Sequence, residues 1–467
     1  MASADALAGL MKFLSREEWR EAFNETLDRH LAPACAKADI SFDELPEVIG
    51  DHHTTVLWGC VFEDFLTRGL DNGRNIVDDY LKRRGWKESA ANKAYIVALR
   101  SSVMSLYEIS DIVRDRSFLA RDLVRGGEPV TVSERSGTRY LKPWDRIAAR
   151  LVQVGPRTEM AGGVLPFDFD TGEAALQAFL RAGKKARVEA DKFARKLAPA
   201  IAGTTLGEAL TDTELLRASA FLFTNFWLDD LLLRTLNPTL PRMCNTEGDE
   251  LVFTTVSYPL KLEASADAIR LRLDAIPALG LEGEAFWNWL GPNERASKKR
   301  TVETRIFVTT INDGSLVLGT VELKDKMVVL QVNSQQRAEQ GRALLAPALA
   351  GLVGEPLVEA KTMAQLMASR PAEKSEPSSC GLSPHEERAL VQANMDRYYV
   401  NLLDDPVPML GNTTPRRAAK SAKGREKLVT WLKLLENNVA RQGDASNMAG
   451  YDLTWVWEEL GVGSLRR

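Results

Sequence analysis

Residues 105–154 read SLYEISDIVRDRSFLARDLVRGGEPVTVSERSGTRYLKPWDRIAARLVQV. Four short runs, SLYEISDIV, SFLARDLV, PVTVSE and RIAARLVQV, are separated by RDR, RGGE and RSGTRYLKPWD. Runs this short, rich in β-branched and aromatic residues and broken by glycine-bearing turns, predict a small antiparallel sheet or barrel. Ser133, Ser136 and Asp145 within it have no histidine nearby for covalent chemistry, so a structural β module is expected. The module interrupts a chain that otherwise reads mainly as helix. The fold class is therefore multidomain α+β, mostly helical.

Working outward, residues 1–104 read as a helical N-terminal region. Ser15-Arg-Glu-Glu18 and Ser41-Phe-Asp-Glu44 have capping-box spacing, in which hydroxyl and carboxylate satisfy the open amides of a helix start. A helix from about Ser89 carries Ala94, Val97, Ala98 and Val103 or Met104 near one face. The β module occupies 105–170, and a helical region follows at 171–249. There Thr211-x-x-Glu214 starts the apolar helix ASAFLFTNFWLDDLLLRTL. Asp229 and Asp230 break that run short of the ~20 clean residues of a membrane span, so it reads as a central buried helix. Arg234 is the expected answer to the two acids, since buried carboxylates need partners.

Residues 250–368 read as an α+β unit. ELVFTTVSY, ETRIFVTTI, GSLVLGTVEL and MVVLQV are strands, Asn312-Asp313-Gly314 is a hairpin turn, and Ser334 caps a helix. Residues 369–383 form a proline- and serine-rich linker. Residues 384–467 form a C-terminal helical domain.

The chain of 467 residues is 45% hydrophobic and 27% charged, an ordinary globular composition with room for several cores. A net charge of −4 argues against a whole-protein electrostatic grip on nucleic acid, which is not expected as a partner. Cys35, Cys60, Cys244 and Cys380 lie far apart without a CxxC pair, which points to free thiols in a reducing compartment. The N-terminal stretch has no basic segment ahead of its apolar residues, so no signal peptide is expected. The expected location is cytoplasmic, away from membranes.

The densest acid–histidine cluster is GDHHTTVLWGC, residues 50–60. Asp51, His52 and His53 are similar to the metal-binding string of DHH phosphoesterases, which implies divalent-metal ligation. The flanking residues read as helix, and a structural place at a helix start is the expectation. No catalytic residue, resident metal or cofactor is assigned. A metal-dependent hydrolase or nucleic-acid-associated protein built on these three residues is the alternative. Asp78-Asp79, Asp229-Asp230 and Asp404-Asp405 are adjacent carboxylates, but neighbours on a helix are splayed by about 100° and chelate poorly. P-loop, GxGxxG, GxSxG and HExxH patterns do not occur. Trp287-x-Trp289 and Trp455-x-Trp457 have a spacing that stacks bases or peptides, or anchors a helix on its core.

The C-terminal region carries the sharpest pattern. Ser383-Pro384-His385-Glu386 starts a helix whose apolar stripe is Val391, Met395, Tyr398 and Leu402. Asp404-Asp405-Pro406 ends it, PVPMLGN makes a stiff loop, and Thr414-Pro415 restarts a short helix. After Gly424 a third helix presents Leu428, Trp431, Leu432, Leu435 and Val439 on one face. Pro406, Pro408, Leu410, Gly411 and Pro415, followed by Gly424, Val429 and Leu432, resemble the C-terminal toxin-binding domain of the MbcA/ParS/Xre antitoxin family. Asn412 stands where that family has a second glycine, and Leu402 where tryptophan is common. The resemblance covers about 60 residues and implies a helical bundle that binds a partner protein, with a toxin as the family's partner class, rather than an enzyme. The implied contact residues are Pro408, Met409, Leu410, Gly411, Pro415, Arg416 and Arg417. The segment from Arg416 to Lys427 is rich in Lys and Arg, which reads as a solvated helix face.

Overall fold

A computed structural model of the chain describes residues 2–70, 72–197, 206–237, 242–247, 249–291, 304–307, 309, 311, 315–368, 384–442 and 450–466. It is a mixed α+β protein, mostly helical, in two compact units. One unit is Met1–Pro238 together with Leu382–Arg467, and the other is Thr239–Gly381. The C-terminal helices thus belong to the same unit as the N-terminal ones. The expected linker at 369–383, the turn at Asn312-Asp313-Gly314, Ser383 and Cys380 lie outside the described residues.

The first unit opens with α1 (Ala2–Leu14), α2 (Glu17–Ala38), α3 (Leu45–Ile49), α4 (Asp51–Thr67), α5 (Ile76–Arg84) and α6 (Ala90–Ser101). The capping box at Ser41 and Glu44 forms. The one read at Ser15 does not: its hydroxyl turns back to Lys12 O at 2.8 Å, and α2 starts one residue later. On α6 the buried residues are Tyr95, Ile96 and Leu99, while Val97 is exposed, because the larger side chains take the core stripe from the alanines.

Next come β1 (Met104–Val113), β2 (Ser117–Asp122), β3 (Val130–Ser133), β4 (Arg146–Val154), β5 (Arg157–Met160) and β6 (Leu165–Phe167). The sheet order is β1-β2-β3-β5-β4-β6, and β1 also pairs with β4, so five strands close into a barrel and β6 extends it outside. The closure needs one parallel pair, β3 with β5, where the sequence reads as wholly antiparallel. Tyr107, Ile109, Phe118, Ala120, Val132, Ile147 and Ala149 fill the interior. Strand side chains alternate, so Leu106 and Ala148 point outward, and they join the helical core. The β1–β4 ribbon is therefore buried on both faces.

The chain continues through α7 (Phe169–Leu197), α8 (Leu206–Ala209), α9 (Asp212–Ser219) and α10 (Phe221–Leu236). The capping box at Thr211 and Glu214 starts α9. On α10, Phe223, Trp227, Leu228 and Leu232 enter the core, while Asp229 reaches Lys37 at 2.7 Å near the surface. Asp230 pairs with Arg234 at 2.6 Å.

Gly163, in the turn before β6, lies against α4. A Cβ there would fall 2.9 Å from both Cys60 N and Cys60 Sγ, closer than such contacts allow. Gly163→Ala is expected to cost about 1–3 kcal/mol, read as a lower denaturation midpoint, because the clash is with helix backbone. An unchanged midpoint would mean that the turn yields.

The second unit contains β7 (Arg242–Cys244), β8 (Val252–Pro259), α11 (Ala266–Asp274), β9 (Leu279–Gly283), β10 (Phe286–Leu290), β11 (Thr304–Ile306), β12 (Val317–Lys324), β13 (Met327–Val332), α12 (Gln335–Leu349), β14 (Leu357–Thr362) and α13 (Met363–Ala368). Six strands make an antiparallel sheet in the order β14-β8-β13-β12-β10-β9, and β7 pairs with β11 in parallel. Trp287 and Trp289 sit on a strand rather than a helix. Alternate positions put both rings into the core with Val256, Val321, Ile269 of α11 and Leu345 of α12. Ser334 caps α12 as its spacing predicts.

The first unit is completed by α14 (Pro384–Leu402), α15 (Pro415–Ala418), α16 (Ala422–Ala440) and α17 (Thr454–Glu459). Tyr399, Leu403, Leu410, Leu428, Trp431, Leu432, Val456 and Trp457 form the core of this bundle.

Candidate functional site

The proline loop folds for local reasons. Val407 and Thr413 form a one-residue bridge, with Val407 N donating to Thr413 O at 3.1 Å. Between them Gly411 (φ 75°) and Asn412 (φ 58°) both take the left-handed conformation that glycine and asparagine tolerate best. Thr414 caps α15 and Ser421 caps α16. Gly424 has no room for a side chain, because a Cβ would overlap Ala418 O.

The seven residues implied as contacts divide between core and surface. Leu410 and Pro415 are buried in the bundle, and Met409 packs partly against its core. Pro408, Gly411 and Arg417 are exposed. Arg416 is held by Glu459 at 2.7 Å and Asp404 at 3.3 Å. Just before the loop, α14 has Tyr399 as its one deeply buried side chain among the described residues. Tyr398 is 57% and Leu390 52% exposed, and Val400 also faces solvent.

Another side of the bundle meets the barrel. Lys433 of α16 pairs with Glu108 of β1, both buried, and its ammonium lies 4.3 Å from the Trp144 ring centre. Burial pulls the Lys433 pKa down and the Glu108 carboxylate pulls it back up, with a net lowering. Glu436 accepts from the indole of Trp144 at 2.6 Å and of Trp457 at 2.9 Å, and Arg466 lies 2.8 Å away. Asn437 Nδ2 donates to Pro143 O at 2.8 Å and to Asp145 at 2.7 Å, and Arg441 joins Asp145 at 2.7 Å. Trp144 itself has φ 68°, a strained conformation for an aromatic residue, held by its N–H to Ile109 O at 2.7 Å.

The same ribbon faces the N-terminal helices further along. Arg150 stands on the outer side of β4 and is fully buried, where its guanidinium meets Asp64 of α4 at 2.6 Å. Asp64 also takes Arg68 Nε at 2.6 Å and His30 Nε2 at 3.1 Å. A carboxylate only accepts, so the His30 proton is on Nε2; Nδ1 lies 2.8 Å from the Thr224 hydroxyl of α10. Arg150 donates further to Ser102 O at 3.0 Å. Burial alone would push Asp64 up, but the His30 hydrogen bond and the Arg150 and Arg68 charges hold it well below the usual carboxylate range. Its neighbour Glu63 is pushed up by burial, against the attraction of Arg150 and the Gly163 N–H at 2.9 Å.

Neither Asp64 nor Glu63 figures among the adjacent aspartate pairs read from sequence. The available signal was Glu63-Asp64 inside the apolar run of α4, together with the lone His30 on α2.

Asp51, His52 and His53 occupy the first turn of α4. His53 Nδ1 lies 2.7 Å from Ile49 O, and its ring meets Trp227 edge-on at 5.5 Å. Among the described residues no three of His, Cys, Asp or Glu gather as metal ligands. No helix of the described chain is long and apolar enough to cross a membrane.

A family model described as a family of unknown function, DUF7986, matches residues 61–197. That span runs from the middle of α4 through α7 and contains Glu63, Asp64, Arg150 and the whole barrel. No curated protein and no solved structure matches the chain.

Proposed function

We propose that this chain is a protein-binding protein that engages its partner through the C-terminal bundle. The observation that carries this reading is the asymmetry of the bundle. One face is locked to the barrel through Lys433, Glu436 and Asn437, while α14 and the proline loop present Leu390, Tyr398, Val400 and Pro408 to solvent. Large apolar groups on a surface helix favour association, each fully buried one being worth about 1.5–3 kcal/mol. The likeness of residues 406–432 to a toxin-binding domain makes a toxin the first class of partner to test. In this reading the binding surface is α14 with the exposed part of the loop, and Leu410, Pro415 and Gly424 hold its shape.

The test is an affinity capture from host cells with the full chain and with Leu390→Glu/Tyr398→Glu/Val400→Glu, followed by titration of the captured protein in purified form. The triple variant is expected to bind at least about tenfold more weakly, as loss of aromatic and aliphatic anchors does. Equal affinity of the two proteins for every captured candidate would overturn the reading.

A further inference from the structure

We propose that the second unit makes this protein a symmetric dimer, by antiparallel pairing of β14 with β14 of a second copy. This inference stands apart from the role given to the bundle. β14 is an edge strand, and β8 is its one ladder partner among the described residues. All six of its residues are exposed, with Leu357 at 73% and Val358 at 47%. Every second N–H and C=O of such a strand points away from its neighbour, ready to pair. Natural edges are blocked by charged side chains, lysine above all, by proline, by bulges or by inward charges. Within LVEAKT there is no proline, the register with β8 is unbroken, and the two charges, Glu359 and Lys361, stand on the face away from the core and neutralise each other. The other edge, β9, carries Gly280 and Gly283, and its register with β10 shifts.

Charge selects the occupant and the register. Glu359 and Lys361 lie on one face, opposite Thr255 and Phe253 of β8, and pair with each other at 2.8 Å. In a two-fold pairing whose axis is perpendicular to the sheet, facing residues share a side, so only alternate registers are allowed. The register centred on Ala360 places Glu359 opposite the second copy's Lys361, and by symmetry Lys361 opposite the second copy's Glu359. Centring on Glu359 or on Lys361 instead sets like charges face to face. On the other side of the sheet, where Val256 of β8 enters the core, Val358 meets the second copy's Thr362. The strand is thus self-complementary in one register, and two six-stranded sheets join into one of twelve strands.

The test uses the full chain in sedimentation and light scattering over a wide concentration series. The natural protein is expected to dimerise. Lys361→Glu and Glu359→Lys each turn two attractive pairs into repulsive ones, and each is expected to raise the dimer dissociation constant roughly thirtyfold or more. Mixing the two single variants is expected to restore a dimer, now between unlike chains. The exchanged pair Glu359→Lys/Lys361→Glu is expected to dimerise by itself. A natural protein that stays monomeric throughout, or a dimer indifferent to both single variants, would overturn the proposal.

Discussion

Asp64→Asn is expected to lower the stability of the first unit by about 3–5 kcal/mol, the loss seen when one member of a buried ion pair is removed. The substitution keeps the shape of the side chain and takes away its charge. Arg150, fully buried, then loses the charge of Asp64, and one of the two carboxylate oxygens becomes an NH2 group, so either Arg150 on Oδ1 or Arg68 and His30 on Oδ2 lose their acceptor. Substituting both members, Asp64→Leu with Arg150→Met, is expected to recover part of the loss, because two buried charges disappear together.

Acid supplies an independent reading of the same pair. The folded pKa of Asp64 lies below the unfolded value of about 3.9, so the native state binds fewer protons. Its stabilisation is complete above about pH 5 and is lost as pH falls through the folded value. Glu63 runs the other way: its folded pKa is raised, so it favours folding in acid and subtracts from stability as pH rises past about 4.3. Urea denaturation of natural and Asp64→Asn proteins at neutral and acidic pH should therefore give curves that converge in acid. Equal stability at pH 7 would mean that Asp64 does not carry the charge balance of this cluster.

Lys433→Ala is expected to cost about 3 kcal/mol or more, and to release the bundle from the barrel before the barrel itself unfolds. Glu108 is buried and would lose its counter-charge, and the Trp144 ring would lose the ammonium over its face. Hydrogen exchange localises the effect. Amides of Ala422–Ala440 and of residues 142–146 should lose protection, while the barrel strands β2 and β3 keep theirs. Lys433→Met with Glu108→Gln is the control, since it keeps side-chain bulk and removes both charges. If Lys433→Ala left exchange on α16 unchanged, the remaining contacts of Glu436 and Asn437 would be holding the bundle without the ion pair.

Local structure was legible in the sequence because its causes are local. The strand runs of 105–154, the caps at Ser41, Thr211 and Ser334, and the proline-led turns of 406–415 each follow from residues within a few positions. The closure of the barrel was not, because pairing of β1 with β4 and of β3 with β5 depends on strands far apart in sequence. Arg150 shows why the buried cluster escaped notice. On a strand, a charged residue alternating with apolar ones reads as the solvent side, and only the position of α4 turns that side into a core. Trp287 and Trp289 read as a helix anchor, although Gly283 ahead of them and Gly291-Pro292 behind them bound a run short enough for a strand. On α16, Lys433, Glu436 and Asn437 look like the polar side of an amphipathic helix, and their use as a docking surface depends on β1 and on the strained turn at Trp144.

The joining of Glu108 to Lys433 has a consequence in time. The two residues are 325 positions apart, and the second unit is synthesised between them. At roughly 5–20 residues per second, the barrel emerges about 15 seconds to a minute before the helix that completes it. Throughout that interval the nascent chain carries a bare carboxylate and an uncovered indole at one end of the barrel. The covering of this end of the barrel by α16 is therefore a late step that completes the first unit.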